Sequence, residues 1–143
     1  MMHATLTNPD YGFTVKDEQN HALFIDIPEA QGGGGGGFRP MQTIIAALCG
    51  CSGVDVVNIL KKQRQAYTSL EIFADGEREK DVELAIWSNV HMTFKLTGPI
   101  DPSKVYRAVA LSIEKYCTVA ETLRRAGGAV TFSVYVNNEE VSL

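Results

Sequence analysis

Hydrophobic positions change period several times along the chain, and each change marks a predicted element. Phe13-Thr14-Val15 and Ala22-Leu23-Phe24-Ile25 flank a turn-rich segment from Lys16 to His21, which predicts a β-hairpin. Pro40 opens a long apolar stretch holding Ile44, Ile45, Leu48, Val54, Val56, Val57, Ile59 and Leu60. Proline suits a first helical position because its missing N–H would be unbonded there anyway. Apolar residues on nearly every face predict a helix buried all round, and Ala46, Ala47, Gly50 and Gly53 let a neighbour approach closely. Leu70 to Ala74 reads as a strand ended by a turn at Asp75-Gly76. From Trp87 to Thr97 the chain alternates, with Val90, Met92, Phe94 and Leu96 on one face and His91, Thr93 and Lys95 on the other.

Asp101-Pro102 is a helix-start signal, and Val105, Val109, Ile113 and Tyr116 recur at helical spacing, with Leu111 broadening that face. Thr118-Val119-Ala120-Glu121 has the form of a capping box, so a second helix is expected to follow at once, stopped by Gly127-Gly128. One continuous helix from Ser103 to Arg125 is the alternative. Val130 to Val136 alternates again as a half-exposed strand. This order of elements predicts an α+β protein, one domain spanning residues 1–143, without repeats.

Composition narrows the function classes. A formal charge of −4 and a pI near 5.3 offer no attraction to phosphate backbones or anionic lipid, so neither nucleic acid nor a membrane surface is an expected partner. The apolar run from Ile44 to Leu60 is interrupted by Asp55 and Asn58 and is shorter than the roughly 20 residues a membrane span needs. The N-terminus lacks the charged and apolar segments of a secretory signal. With an odd count of three cysteines, this points to the reducing cytoplasm. The six consecutive glycines Gly32–Gly37 lack the spacing and the Lys-Ser/Thr of a phosphate loop and read as a flexible loop.

The cysteines carry the candidate chemistry. Cys51 sits within the long helix, where a buried thiol is ordinarily a small hydrophobe. Cys117 would lie beside the helix start at Thr118, whose partial positive charge favours a thiolate. Cys49, two residues from Cys51, points about 200° away around the helix and cannot bond to it there. Cys-Gly-Cys does not fit a helical metal pair, and His3, His21 and His91 read as surface or hydrogen-bonded residues, so no metal and no cofactor are expected.

The segment Arg39-Pro40-Met41-Gln42-Thr43-Ile44-Ile45-Ala46-Ala47-Leu48-Cys49-Gly50-Cys51 resembles the reactive-cysteine segment of the OsmC/Ohr family. Asp55 to Gln65 is similar to its continuation in the YhfA-like branch, and Leu96-Thr97-Gly98, Asp101 to Val105 and Glu114 to Val119 resemble the second half. The resemblance covers roughly residues 28–136 in the same order. It implies an OsmC-like, intertwined homodimer with a buried central helix packed on antiparallel β-sheet. It further implies a peroxidatic Cys51, which attacks the peroxide O–O bond, and a resolving Cys117, with a lipoyl-type dithiol as reductant.

The peroxidase members place a Glu shortly after the Pro to hold an Arg against the thiolate; here Met41 and Gln42 follow Pro40. Gln42 hydrogen-bonds without charge, and burial together with Asp55 would raise the Cys51 pKa. An activating cation is therefore expected, with Arg39 the candidate and Arg64 in reserve. The missing carboxylate also motivates an alternative: a non-catalytic, stress-related dimer of the same fold, holding a small apolar ligand between subunits.

Overall fold

The computed structural model describes all 143 residues. They divide into two compact units, Met1–Ala46 and Ala47–Leu143. In the first, β1 (His3–Leu6), β2 (Phe13–Lys16) and β3 (Ala22–Ile25) form an antiparallel sheet in that order. The β2–β3 hairpin agrees with the alternation in the sequence; β1 is an added edge strand, exposed along its length, whose pattern gave no signal.

After β3 the chain makes a short 3-10 turn, Glu29–Gln31, and then the glycine run. Expected to be a flexible loop, the run is instead wrapped around Asp26, which is only 2% exposed. Its carboxylate accepts hydrogen bonds from the N–H groups of Ile27 at 2.7 Å, Gly36 at 3.1 Å and Gly34 at 3.4 Å, and from the Asn8 amide at 3.3 Å. These bonds, led by that from Ile27, hold the carboxyl below its ordinary pKa. The run is thus an anion cradle after all, but the anion is the chain's own. Its course requires glycine where backbones touch: a Cβ on Gly37 would lie 2.4 Å from the Phe24 carbonyl, and one on Gly33 would lie 2.1 Å from the Ile27 oxygen.

Helix α1 (Pro40–Lys62) runs on from the first unit into the second. At 23 residues it exceeds the predicted apolar run, and by length and composition alone it could cross a membrane. Leu48, Ser52, Val56 and Leu60, one stripe at i, i+4 spacing, are buried in the protein. The expectation of burial on every face is corrected for the single chain, where Val54 is 69% exposed.

The second unit's sheet has the order β4 (Ser69–Arg78), β5 (Trp87–Thr97), β6 (Ala129–Val136), β7 (Glu139–Val141). Strand β4 continues through Asp75-Gly76, where a turn was expected, because Gly76 pairs with Val90 in the ladder. The predicted antiparallel sheet is mixed: β5 pairs antiparallel with β4 but parallel with β6. A parallel pair needs a crossover, and the helices supply it: α2 (Pro102–Leu111), a π-helical turn at Ser112–Tyr116, and α3 (Thr118–Arg125). Asn137 and Asn138, with φ of 51° and 67°, make the two-residue turn into β7.

Val90, Met92, Phe94 and Leu96 of β5 are at most 1% exposed, as the alternation predicted, and join Val105, Val109, Ile113, Leu123 and Val134 in the core. Removing a side chain the size of Phe94 from water contributes about 1.5–3 kcal/mol. Tyr116 departs from its predicted core phase and is 50% exposed. The π turn adds a residue to the helical period just before it, which carries Tyr116 off the buried face.

Candidate active site: a thiol pair at a helix N-terminus

Asp101 caps α2, its side chain accepting from Ser103 N–H at 2.9 Å, and the helix ends in the π turn. There Cys117 N–H donates to Ser112 C=O at 2.7 Å, and the chain becomes extended at Cys117, with φ −72° and ψ 106°. The guanidinium of Arg124 donates to the Ile113 carbonyl at 2.7 Å, tying α3 back across this break. Two helices therefore form, as expected, but the cap sits one residue earlier than the capping box predicted. The Cys117 sulfur accepts from Ala120 N–H at 3.4 Å, and Glu121 pairs with Arg124 and Arg125 instead of reaching back.

This break brings Cys117 to Cys51. The two sulfurs and a carboxylate oxygen of Asp55 all lie within 4.8 Å of one another. Asp55 stands one helical turn beyond Cys51 on α1 and accepts a 2.9 Å hydrogen bond from the buried Ser112 hydroxyl. Thr118 Oγ1 lies 3.7 Å from Cys51 Sγ. No disulfide links the three cysteines in this structure.

The surroundings separate the two thiols. Partial burial of Cys51 works to raise its pKa, but hydrogen bonds from Val119 N–H, the Cys117 thiol, the Thr118 hydroxyl and Thr118 N–H outweigh it, and the pKa falls below the ordinary thiol value. The expectation that burial and Asp55 would leave Cys51 suppressed is corrected: the amide groups opening α3 do what a cation was expected to do. Cys117, 2% exposed, is pushed up to about 11, by burial first and then by the neighbouring Cys51. Of the two thiols, Cys51 is thus the one that gives up its proton more readily, and Cys117 the one that keeps it.

The remaining sequence candidates are placed as follows. Gln42 Oε1 accepts from the Arg39 backbone N–H at 3.1 Å, the reciprocal arm of a capping interaction at the start of α1. The exposed Arg39 side chain makes no ion pair. Cys49 stands apart from the pair and lines an apolar groove of about 700 Å³ with Gly53, Val54, Val57 and Ile72; burial raises its thiol pKa. His91 hydrogen-bonds Thr131 and Ser133 across the sheet. Sequence reasoning missed Thr118 as a sulfur ligand, having read it as a cap, and had no signal for Ser112.

The architecture and the facing sulfurs define an α+β protein with a dithiol built between a long helix and a helix N-terminus. The chain belongs to the OsmC family, whose model, described as OsmC-like protein, matches residues 32–133. It is 39% identical to protein YhfA of Escherichia coli K12 over 88 residues, 61% of this chain and 65% of that relative, so the match spans slightly less than two thirds of YhfA. An OsmC-like protein from Mycoplasma pneumoniae has the same fold, with a TM-score of 0.79 at 15% identity over 95% of each chain. So does an organic hydroperoxide resistance protein OsmC from Legionella pneumophila, with a TM-score of 0.68 at 17% identity, covering 95% of this chain and 96% of that one.

Proposed function

We propose that this protein is a thiol-dependent reductase of organic hydroperoxides, with Cys51 as peroxidatic and Cys117 as resolving cysteine. The observation that carries the reading is that two sulfurs distant in sequence meet within 4.8 Å at the start of α3. The Cys51 thiolate attacks the outer peroxide oxygen, the O–O bond breaks, and the alkoxide leaves as alcohol after taking a proton, so Cys51 becomes a sulfenic acid. Cys117 then attacks that sulfur. Water leaves with the hydroxyl and the Cys117 proton, and a disulfide remains. An external dithiol of the lipoyl type restores both thiols by exchange.

The Legionella protein of the same fold is described as an organic hydroperoxide resistance protein, which agrees with this reading. Arg39 and Gln42 belong to the proposal as groups that support the reactive segment at the start of α1. The protein would work as a homodimer, because a single chain leaves much of the apolar α1 surface open, and in the cytoplasm, where thiols stay reduced.

The test is titration of reduced protein with cumene hydroperoxide, followed by disulfide mapping. One equivalent should yield a Cys51–Cys117 bond within one chain. Accessible thiols with no such bond would refute the proposal. The groove beside Cys49 favours a second reading, a dimer that binds an apolar ligand without turnover. Steady peroxide consumption with a dithiol reductant would eliminate it.

A further inference from the structure

The group beside the dithiol that peroxide chemistry leaves without a task is Asp55. Its carboxylate is held by the buried Ser112 hydroxyl at 2.9 Å and placed within 4.8 Å of both sulfurs, yet it forms no ion pair with any Lys or Arg. Three groups that all carry negative charge when deprotonated thus converge from α1 and α3 with no cation among them. We propose that Cys51, Cys117 and Asp55 form a binding site for a soft divalent cation of the zinc class, with a fourth position open to water.

Donor set and spacing both fit. Two sulfurs and one carboxylate oxygen are ligands that zinc accepts, and three protein ligands plus water is a recurrent arrangement for it. Bond lengths of about 2.3 Å to sulfur and 2.0 Å to oxygen put tetrahedral ligand atoms about 3.5–3.8 Å apart. From a spread of at most 4.8 Å, closure onto a metal needs movements of about 1 Å, within reach of side-chain torsions. The four-residue separation of Cys51 and Asp55 puts both donors on one face of α1. Ser112 serves as the outer group that orients a ligating carboxylate. Cys49 lies outside this set.

The inference uses the same sulfurs as the proposed peroxide chemistry but requires none of its steps. A bound metal occupies the Cys51 lone pair that would attack peroxide, so metal and hydroperoxide compete for one site.

The experiment is titration of reduced, chelator-treated protein with cobalt(II), then displacement by zinc followed calorimetrically. One ion per chain should bind, with a thiolate-to-cobalt charge-transfer band and the visible bands of four-coordinate cobalt. Cys51→Ser and Cys117→Ser should each abolish the charge-transfer band or reduce it to that of a single thiolate, with affinity falling sharply. Asp55→Asn should weaken binding by more than about tenfold, Ser112→Ala by about tenfold, and Cys49→Ser should leave the spectrum unchanged. Zinc should also slow alkylation of Cys51 and Cys117, but not of Cys49, in the unsubstituted protein, a readout that needs no variant to fold. Absence of the band, a band of undiminished intensity in Cys51→Ser or in Cys117→Ser, or full affinity in Asp55→Asn would overturn the proposal. Peroxide-driven disulfide formation in metal-free protein tests the reductase reading separately, so either can fail alone.

Discussion

Replacing Thr118 by Val removes a hydroxyl that lies 3.7 Å from Cys51 Sγ while keeping the side chain's shape. Hydrogen bonds to charged groups are worth about 1.5–3 kcal/mol, and the long contact to a diffuse sulfur acceptor argues for less, about 1 kcal/mol. That loss lowers the thiolate fraction at pH 7 by about fivefold, since 1.36 kcal/mol corresponds to one pKa unit. The more basic thiolate is also the better nucleophile, and a Brønsted coefficient of about 0.4–0.5 returns a factor of about two. In metal-free reduced protein, Thr118→Val should therefore slow iodoacetamide alkylation of Cys51 by roughly 2.5-fold at pH 7. Above the thiol titration, where both proteins are fully ionised, the variant should be the faster, by about twofold. The assay is the alkylation rate of Cys51 by peptide mass spectrometry across pH. A crossing of the two profiles supports hydrogen-bond control of the thiolate. Superimposable profiles, or a uniform decrease at all pH values, would refute it, the latter by showing a change in access instead.

Other expectations follow from the same structure. Cys117→Ser should stop peroxide oxidation at the Cys51 sulfenic acid, trapped as a dimedone adduct, with no disulfide within the chain. Phe94→Ala, at a wholly buried site, should cost about 3–5 kcal/mol, read as a lower urea midpoint. Gly37→Ala should destabilise by about 1–3 kcal/mol, since its Cβ meets the Phe24 backbone at 2.4 Å. Asp26 has a depressed folded pKa, so its contribution to stability is fully present above the unfolded value near 3.9 and is lost as pH falls through the lower folded value. Asp26→Asn should lower stability at neutral pH and flatten its decline below about pH 4, measured by urea unfolding at several pH values.

Where neighbours in sequence decide the outcome, the chain was readable. The alternation of β5, the Asp101 cap and the break before Thr118 depend on residues within one or two turns, and all appear in the structure. The pairing of Cys51 with Cys117 was legible because a helix-start signal stood beside the second cysteine and the family resemblance named the first. What remained hidden depends on distant partners. The order of Gly32–Gly37 is set by a carboxylate at Asp26 that no glycine pattern announces. Gly76 looked like a turn until Val90 was available to pair with its backbone. The direction of β6 follows from the crossover and not from its own alternation, which is the same in either orientation. The hydroxyl that holds the Asp55 carboxylate beside the sulfurs comes from Ser112, on another element, and so left no local signal.

Strands β5 and β6 lie side by side in the finished molecule, yet residues 98–128 must be traversed before they can zip together. Parallel pairing of this kind is a slow, non-local step in folding. Cys117 lies on that traverse, so the two sulfurs remain strangers until the crossover has closed. A nascent or heat-loosened chain then carries three solitary thiols, open to random coupling with one another or with other chains. Oxidants met before closure would yield scrambled or cross-linked species, whereas the same oxidants met afterwards find two of the three sulfurs already side by side.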